Sequence, residues 1–294
     1  MGVNIMENRI IDSLFATDAV RVSDPEAPFW YASGRLGPFY INTHFLLSNE
    51  IEALELLSII EASSSSDRLT FPKLLLDHLL QIYKRSESFR TVTDMITAKA
   101  SEHSFDFISG GERRDFFFSM LPAYFLKKPH LSIFKDFQAV YTTDDFTASV
   151  HSYEADLSGK KALHIADLVT EASSYTRVWI PVIRECSASI SDTLAVVDRL
   201  QGGADNLAAE GVSLHTLTQI KPEFFEMALE MNKITESQYR MVLDFMKSPS
   251  EYMDAFLRAH PSFIADQLAL GGKAKERAEL AISKGYAESV ECNG

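Results

Sequence analysis

The stretch KALHIADLVTEASS (residues 161–174) is an apolar run closed first by an acid and then by small hydroxyl residues. Ala162, Leu163, Ile165 and Ala166 read as a buried strand. Asp167 stands at its tip, and Thr170, Ser173 and Ser174 bring hydroxyls to the place where a helix opens. Backbone N–H groups at a helix start, together with the helix dipole, favour an anion there. Strand, acid, hydroxyl turn and helix in this order describe a phosphate cradle. The same residues alone also describe an ordinary strand–turn–helix with serine capping, so the flanking sequence has to decide.

Working outward, residues 104–219 alternate strand and helix. Strands are predicted at 105–109, 130–134, 162–166 and 193–198, helices at 116–126 and 175–186, and a hairpin over 136–156. Such alternation implies an α/β fold with a mostly parallel sheet flanked by helices. Ligands of such sheets sit beyond the carboxyl ends of the strands. Three polar loops emerge there, over residues 110–115, 167–174 and 198–203.

Three further regions frame this core. Residues 1–48 carry an amphipathic helix near Ile10 and then an extended Gly/Pro-rich stretch, WYASGRLGPFYINTHF (residues 30–45). Residues 49–103 read as a helical insertion. Asn49 with Glu52 forms a capping box, residues 63–66 form a polar serine joint, and Pro72 opens a second helix. Residues 220–294 read as a helical C-terminal extension with capping boxes at Thr235–Gln238 and at residues 248–251. Its methionines, Met227, Met231, Met241 and Met246, have the spacing of core packing.

Composition excludes several classes. Asp and Glu number 41 against 28 Lys and Arg, a net charge of −13, which argues against a general nucleic-acid binder. Local basic places persist at Arg113-Arg114 and Lys127-Lys128, the first beside two glycines. Mean hydropathy is −0.05, and no apolar run nears the roughly 20 residues of a membrane span. The N-terminus shows no secretory pattern, and Met6 stands where a myristoylation motif wants Ser or Thr. Two distant cysteines, Cys186 and Cys292, suit a reduced cytoplasmic compartment.

The loops carry complementary chemistry. Gly110 and Gly111 would let the backbone approach a ligand, while Arg113 and Arg114 could hold phosphate or pair with Glu112 and Asp115. Asp167 could hold sugar hydroxyls or a metal-bound water, or cap a helix. Arg199, after the apolar AVVD, could meet an anionic ring substituent or pair with Asp198. Together they suggest a ligand with phosphates at both ends and a planar anionic partner.

Four segments, SGRLGPFYIN (33–42), FISGGERRD (107–115), HIADLVTEASS (164–174) and AVVDRLQGG (195–203), resemble the type I phosphoribosyltransferases, in particular orotate phosphoribosyltransferase. The resemblance implies a type I phosphoribosyltransferase-like α/β core with a β-hairpin hood. It implies transfer of a phosphoribosyl group from phosphoribosyl pyrophosphate (PRPP) to orotate or a related pyrimidine, with pyrophosphate released. Thr170, Ala172, Ser173 and Ser174 would then hold the 5-phosphate, Gly110, Gly111, Arg113 and Arg114 the pyrophosphate, and Asp167 the ribose. Arg35, Phe39, Tyr40 and Arg199 would meet the base. Mg2+ would arrive on PRPP, with no metal ligand of its own assigned, and a homodimer is expected.

The family's pattern is altered at several positions. Ala166 stands for the first of two adjacent acids, Ala172 for a glycine, and Ala32 for a lysine. The hairpin lacks the family's basic cluster, so Arg113, Arg114 and Lys135 would have to replace its cations, Lys135 as a catalytic group. Two functions stay open on these residues: a transferase with a rearranged site, or a non-catalytic protein that senses a nucleotide or PRPP.

Overall fold

The computed structural model describes residues 2–287. Helix α1 (Gly2–Ala16) is followed by four short strands, β1 (Val20–Val22), β2 (Phe29–Trp30), β3 (Leu36–Gly37) and β4 (Phe39–Ile41). A 3₁₀ turn, Thr43–Leu47, leads to helices α2 (Glu50–Ser66), α3 (Phe71–Arg85) and α4 (Glu87–Ala100). The chain forms two units. One comprises the residues up to Ala19 with Asn42–Lys221, the other Val20–Ile41 with the residues from Pro222 onward.

The first unit is built on a seven-stranded sheet. Its strands are β5 (Phe107–Gly111), β6 (His130–Ile133), β7 (Ala139–Thr142), β8 (Ser149–His151), β9 (Lys161–Val169), β10 (Ser189–Asp198) and β11 (Ser213–Gln219). Their spatial order is β11-β10-β9-β5-β6-β7-β8. The first five in that order run parallel, and the hairpin strands β7 and β8 close one edge antiparallel. From β5 the chain steps to β6 on one side, and β9 then joins on the other. The strand order therefore reverses between β5 and β9, which opens a crevice at their carboxyl ends.

Helices cover this sheet for reasons visible in their residues. α5 (Asp115–Phe125) is buried from Asp115 through Ala123, so its run DFFFSMLPA is apolar nearly all round. Phe116 packs between Phe71 of α3 and Phe134, with ring centroids 5.3 and 5.8 Å away. Alternation along β9 sends Ala162, His164 and Ala166 to the opposite face. There a π-helical turn, Tyr175–Trp179, runs into α6 (Ile180–Glu185), and Tyr175, Trp179 and Ile183 complete the core. The short helix α7 (Gly203–Ala209) links β10 to β11.

Three boundaries differ from expectation. β5 begins and ends two residues later than predicted, so Gly110 and Gly111 lie inside the strand and the loop starts at Glu112. β9 runs on to Val169, which places Asp167 within the strand rather than at its tip. The serine run does not break α2, whose last turn is closed by the Asp67 N–H on the Ser63 carbonyl; the joint falls after Ser66. At its start the Asn49 side chain accepts the Glu52 N–H at 3.0 Å, an N-cap without the reciprocal Glu52 bond of the expected capping box.

In the second unit β1 pairs antiparallel with β4, and β2 with β3. Five helices follow: α8 (Pro222–Glu230), α9 (Glu236–Lys247), α10 (Pro249–Ala259), α11 (Phe263–Leu270) and α12 (Gly272–Ser283). Thr235 and Gln238 form a reciprocal capping box at α9, and Ser248 caps α10 with Pro249 in its first turn. Of the four methionines read as packing, Met241 is buried and Met227, Met231 and Met246 are half-buried. No helix among the described residues is long and apolar enough to cross a membrane. Cys186 is a free, half-buried thiol, and Cys292 lies outside the described residues.

Candidate functional site

Two carboxylates form the floor of the crevice. Asp167 is buried in β9, and its Oδ2 accepts the Thr43 hydroxyl. Asp115, buried at the start of α5, accepts the Asp167 N–H on Oδ1 at 3.1 Å and the Gly111 N–H on Oδ2 at 3.2 Å. Burial pushes the Asp167 carboxyl up, and the charge of Asp115 pushes it further, against the Thr43 hydrogen bond and the charge of Arg114. Burial also raises Asp115, although the N–H groups of Asp167 and Gly111 oppose it. Like charges at this separation cannot both ionise freely, so the pair titrates as a unit.

One buried imidazole adjoins the floor, and two more lie in the same unit. His164, fully buried, stacks on Trp179 and shares a hydrogen bond with the Ser109 hydroxyl at 3.0 Å. Its Nε2 lies 3.5 Å from Asp115 Oδ2. Burial holds His164 down to about 3, and it holds His130 at about 3 with help from His164. His44 is lowered as far by burial and then by the charges of Arg114 and Arg113.

The walls are the two loops that flank the strand reversal. Glu112, Arg113 and Arg114 come from the β5 end, Thr170–Ser174 from the β9 end, and Lys135 from the end of β6. They enclose a cavity of about 330 Å³, within the size range of small-ligand sites. Arg113, Arg114, Lys135, Asp167, Thr170, Ala172, Ser173 and Ser174 thus line one cavity, although the sequence separates them by up to 61 positions. Ala172 has φ 56°, the left-handed region where glycine is at ease and an alanine costs roughly 1–2 kcal/mol. The backbone therefore keeps the shape that a glycine would adopt there.

Some expected roles change. Gly110 and Gly111 are buried in β5 and their bareness serves packing. A Cβ on Gly110 would stand 2.1 Å from Ser119 Oγ, and one on Gly111 2.3 Å from the Trp179 ring. Arg113 pairs with Glu61 of α2 rather than with Glu112 or Asp115. Asp198 accepts the Leu200 N–H at 2.8 Å. Arg199 is half-buried at the end of β10, its N–H on the Val169 carbonyl at 2.9 Å.

The other base-contact candidates belong to the second unit. Arg35 lies over the Tyr286 ring, 4.6 Å from its centroid, and donates to Ser250 Oγ at 3.1 Å. Phe39, expected to stack on a base, is instead a core residue, 6% exposed, with Phe225 and Phe245 at 5.0 and 5.8 Å. Its ring is committed to packing because β4 turns it inward. Tyr40 is half-buried, and its hydroxyl donates to the Trp30 carbonyl.

Asp115, Thr43 and His164 were not singled out from sequence. Asp115 reads there as a partner for the neighbouring arginines, and His164 as one polar residue in an apolar strand. Only a helix-start position hints at Asp115, since acids are favoured in a first turn.

The sheet, its antiparallel hairpin edge and the paired loops at the strand reversal define the fold of the type I phosphoribosyltransferases. Solved structures share it, two of which serve for comparison. UMP synthase of Leishmania donovani superposes with a TM-score of 0.55 and 15% identity, over 84% of this chain and 42% of that one. Orotate phosphoribosyltransferase of Francisella tularensis gives 0.52 and 13%, over 81% and 96%. By sequence the chain is similar to orotate phosphoribosyltransferase of Saccharolobus solfataricus, 28% identical over 93 residues, or 32% of this chain. The match spans about half of that relative, 47% of its length. No family model matches the chain.

Proposed function

We propose that the chain is a phosphoribosyltransferase of pyrimidine biosynthesis, moving a 5-phosphoribosyl group from PRPP to orotate or a close relative. The observation that carries this reading is the single cavity in which the hydroxyl turn, the Asp115–Asp167 pair and three cations meet. Thr170, Ser173 and Ser174 hold the 5-phosphate through hydroxyls and backbone N–H groups. Ala172 keeps the turn in its left-handed shape. Asp167 receives the ribose hydroxyls, close to the anomeric carbon where the ring nitrogen attacks and pyrophosphate departs. Arg113, Arg114 and Lys135 neutralise the departing charge, the effect that dominates catalysis of this kind. Arg199 is assigned to the acidic edge of the base. Arg35 and Tyr40 stay candidates for the base on the family resemblance, and a homodimer is expected on the same ground.

Magnesium fits this donor set. It is commonly held by one or two carboxylates plus substrate phosphates, and a cation would relieve the mutual repulsion of Asp167 and Asp115. Asp167 is the residue that would hold it, because Asp115 already accepts two backbone N–H groups. The ion would offset charge on the pyrophosphate oxygens.

The test is transfer itself. Purified protein with PRPP, Mg2+ and orotate is expected to consume orotate and release pyrophosphate in equal amounts. A second reading, a sensor that binds without turnover, is favoured by the Arg113–Glu61 ion pair, which occupies a cation the transferase needs. Calorimetric PRPP binding with no pyrophosphate release would select the sensor. Absence of both PRPP binding and turnover would end both readings.

A further inference from the structure

At the amino ends of the parallel strands, away from the cavity, His103, Asp192 and His215 converge. Lys161, which touches Asp192, opens β9, and Val169 beside the cavity closes it. Eight residue steps of strand, about 26 Å, lie between them. The cluster is therefore independent of the transferase site and of any reading of it.

Three elements build it. Asp192 pairs with Ser213 and Leu194 with His215 in the β10–β11 ladder, so Asp192 and His215 share a face one diagonal apart. The register of β10 against β9 shifts between Ile190 and Asp192, the kind of bulge that re-aims a side chain. His103 arrives from the link between α4 and β5. Its imidazole centroid is 4.3 Å from that of His215.

The donor geometry is that of a ligand set. His215 Nε2 is 3.1 Å and His103 Nδ1 3.9 Å from one oxygen, Asp192 Oδ1. One ligand atom from each of the three residues falls within 4.8 Å of the other two. Donors around tetrahedral zinc, at bonds of about 2.0–2.1 Å, stand about 3.3 Å apart, so small side-chain rotations suffice. A plain hydrogen-bonded cluster accounts for His215 alone. At 3.9 Å His103 Nδ1 is beyond hydrogen-bond reach, and its Nε2 is buried with no hydrogen-bond partner among the described residues.

The second oxygen is held from outside. Asp192 Oδ2 accepts Lys161 Nζ at 2.9 Å and Ser191 Oγ at 2.8 Å. Outer contacts of this kind fix the orientation of a ligating carboxylate, and they leave Oδ1 to the imidazoles.

We propose that His103, Asp192 and His215 bind a first-row divalent ion of the zinc type, which clips the α4–β5 link to strands β10 and β11. Two imidazoles and a carboxylate suit Zn2+, Co2+ or Ni2+ rather than Mg2+ or Ca2+. The side chains are partly exposed, His103 at 16% and His215 at 31%, so the ion exchanges with solution and leaves room for a water ligand.

The full chain, stripped of metal by a chelator and dialysed, is titrated with Co2+ and then with Zn2+. Expected are visible ligand-field bands that saturate at one equivalent of Co2+ and vanish as Zn2+ displaces it. His103→Gln and His215→Ala, each checked for native circular dichroism, should weaken binding at least about tenfold. Zn2+ should raise the melting temperature of the wild type and not of His103→Gln. No cobalt bands in the wild type, or equal affinity in wild type and His103→Gln, would overturn the assignment. The wild-type spectrum decides even if a variant fails to fold.

Discussion

Replacing Asp167 by Asn should make the protein more stable as pH rises while it loses function. Asp167 is buried, and its carboxyl is pushed up to about 7 from an ordinary 3.8 by burial and by Asp115. A carboxyl raised in the folded state contributes stability that is complete below the unfolded value and is lost as pH rises through the folded one. Asp167 and Asp115 titrate as a pair, so the loss is shared between them, and the part that Asn removes is on the order of 2 kcal/mol between about pH 5 and about pH 8. Asn carries no charge to bury, and its carbonyl can still accept the Thr43 hydroxyl. The variant's advantage should therefore grow by about 2 kcal/mol across that range, or about 4–8 °C in melting temperature. His130 and His164, buried and held near 3, tilt stability the other way, towards loss as pH falls from 6.5. They are present in both proteins and cancel in the difference. Melting curves of both proteins across pH measure the gap. A gap that stays constant from about pH 5 to about pH 8 would refute the buried, charge-coupled carboxyl. The same variant should lose most of its transfer activity, the familiar exchange of stability for function at a charged buried site.

The remaining predictions are smaller. Gly111→Ala drives a methyl into Trp179, whose ring atoms would lie 2.3 Å away; a loss of about 1–3 kcal/mol by urea unfolding is expected, and an unchanged midpoint would remove the packing reason for this glycine. Glu61→Gln breaks the surface pair with Arg113 and should tighten PRPP binding a few-fold, consistent with the roughly 1 kcal/mol ceiling of exposed ion pairs; weaker binding would show that Glu61 instead orients the loop. Arg199→Ala should raise KM for the base and spare that for PRPP. Equal loss of both would mean that the β10 end has lost its shape.

What could be read from the chain alone was local. Capping pairs such as Thr235 with Gln238, the strand of residues 162–166 and the hydroxyl turn after it depend on neighbours a few positions apart, and their chemistry is written consecutively. The alternation of strand and helix then implied a parallel sheet, and with it a crevice at the carboxyl ends. In the strand before the hydroxyl turn the sequence shows one acid, Asp167, with Ala166 beside it. Tertiary structure decided the rest. It brought Asp115 to Asp167 from 52 positions away and Thr43 from 124, so the floor holds two carboxylates after all. It turned Phe39 into a core, joined residues 20–41 to the helices after 222, and gathered His103, Asp192 and His215 at one edge. None of these follows from spacing. Burial and pairing of charges depend on which segments the sheet places side by side, and a hydrogen bond between distant positions leaves no periodic trace in the sequence.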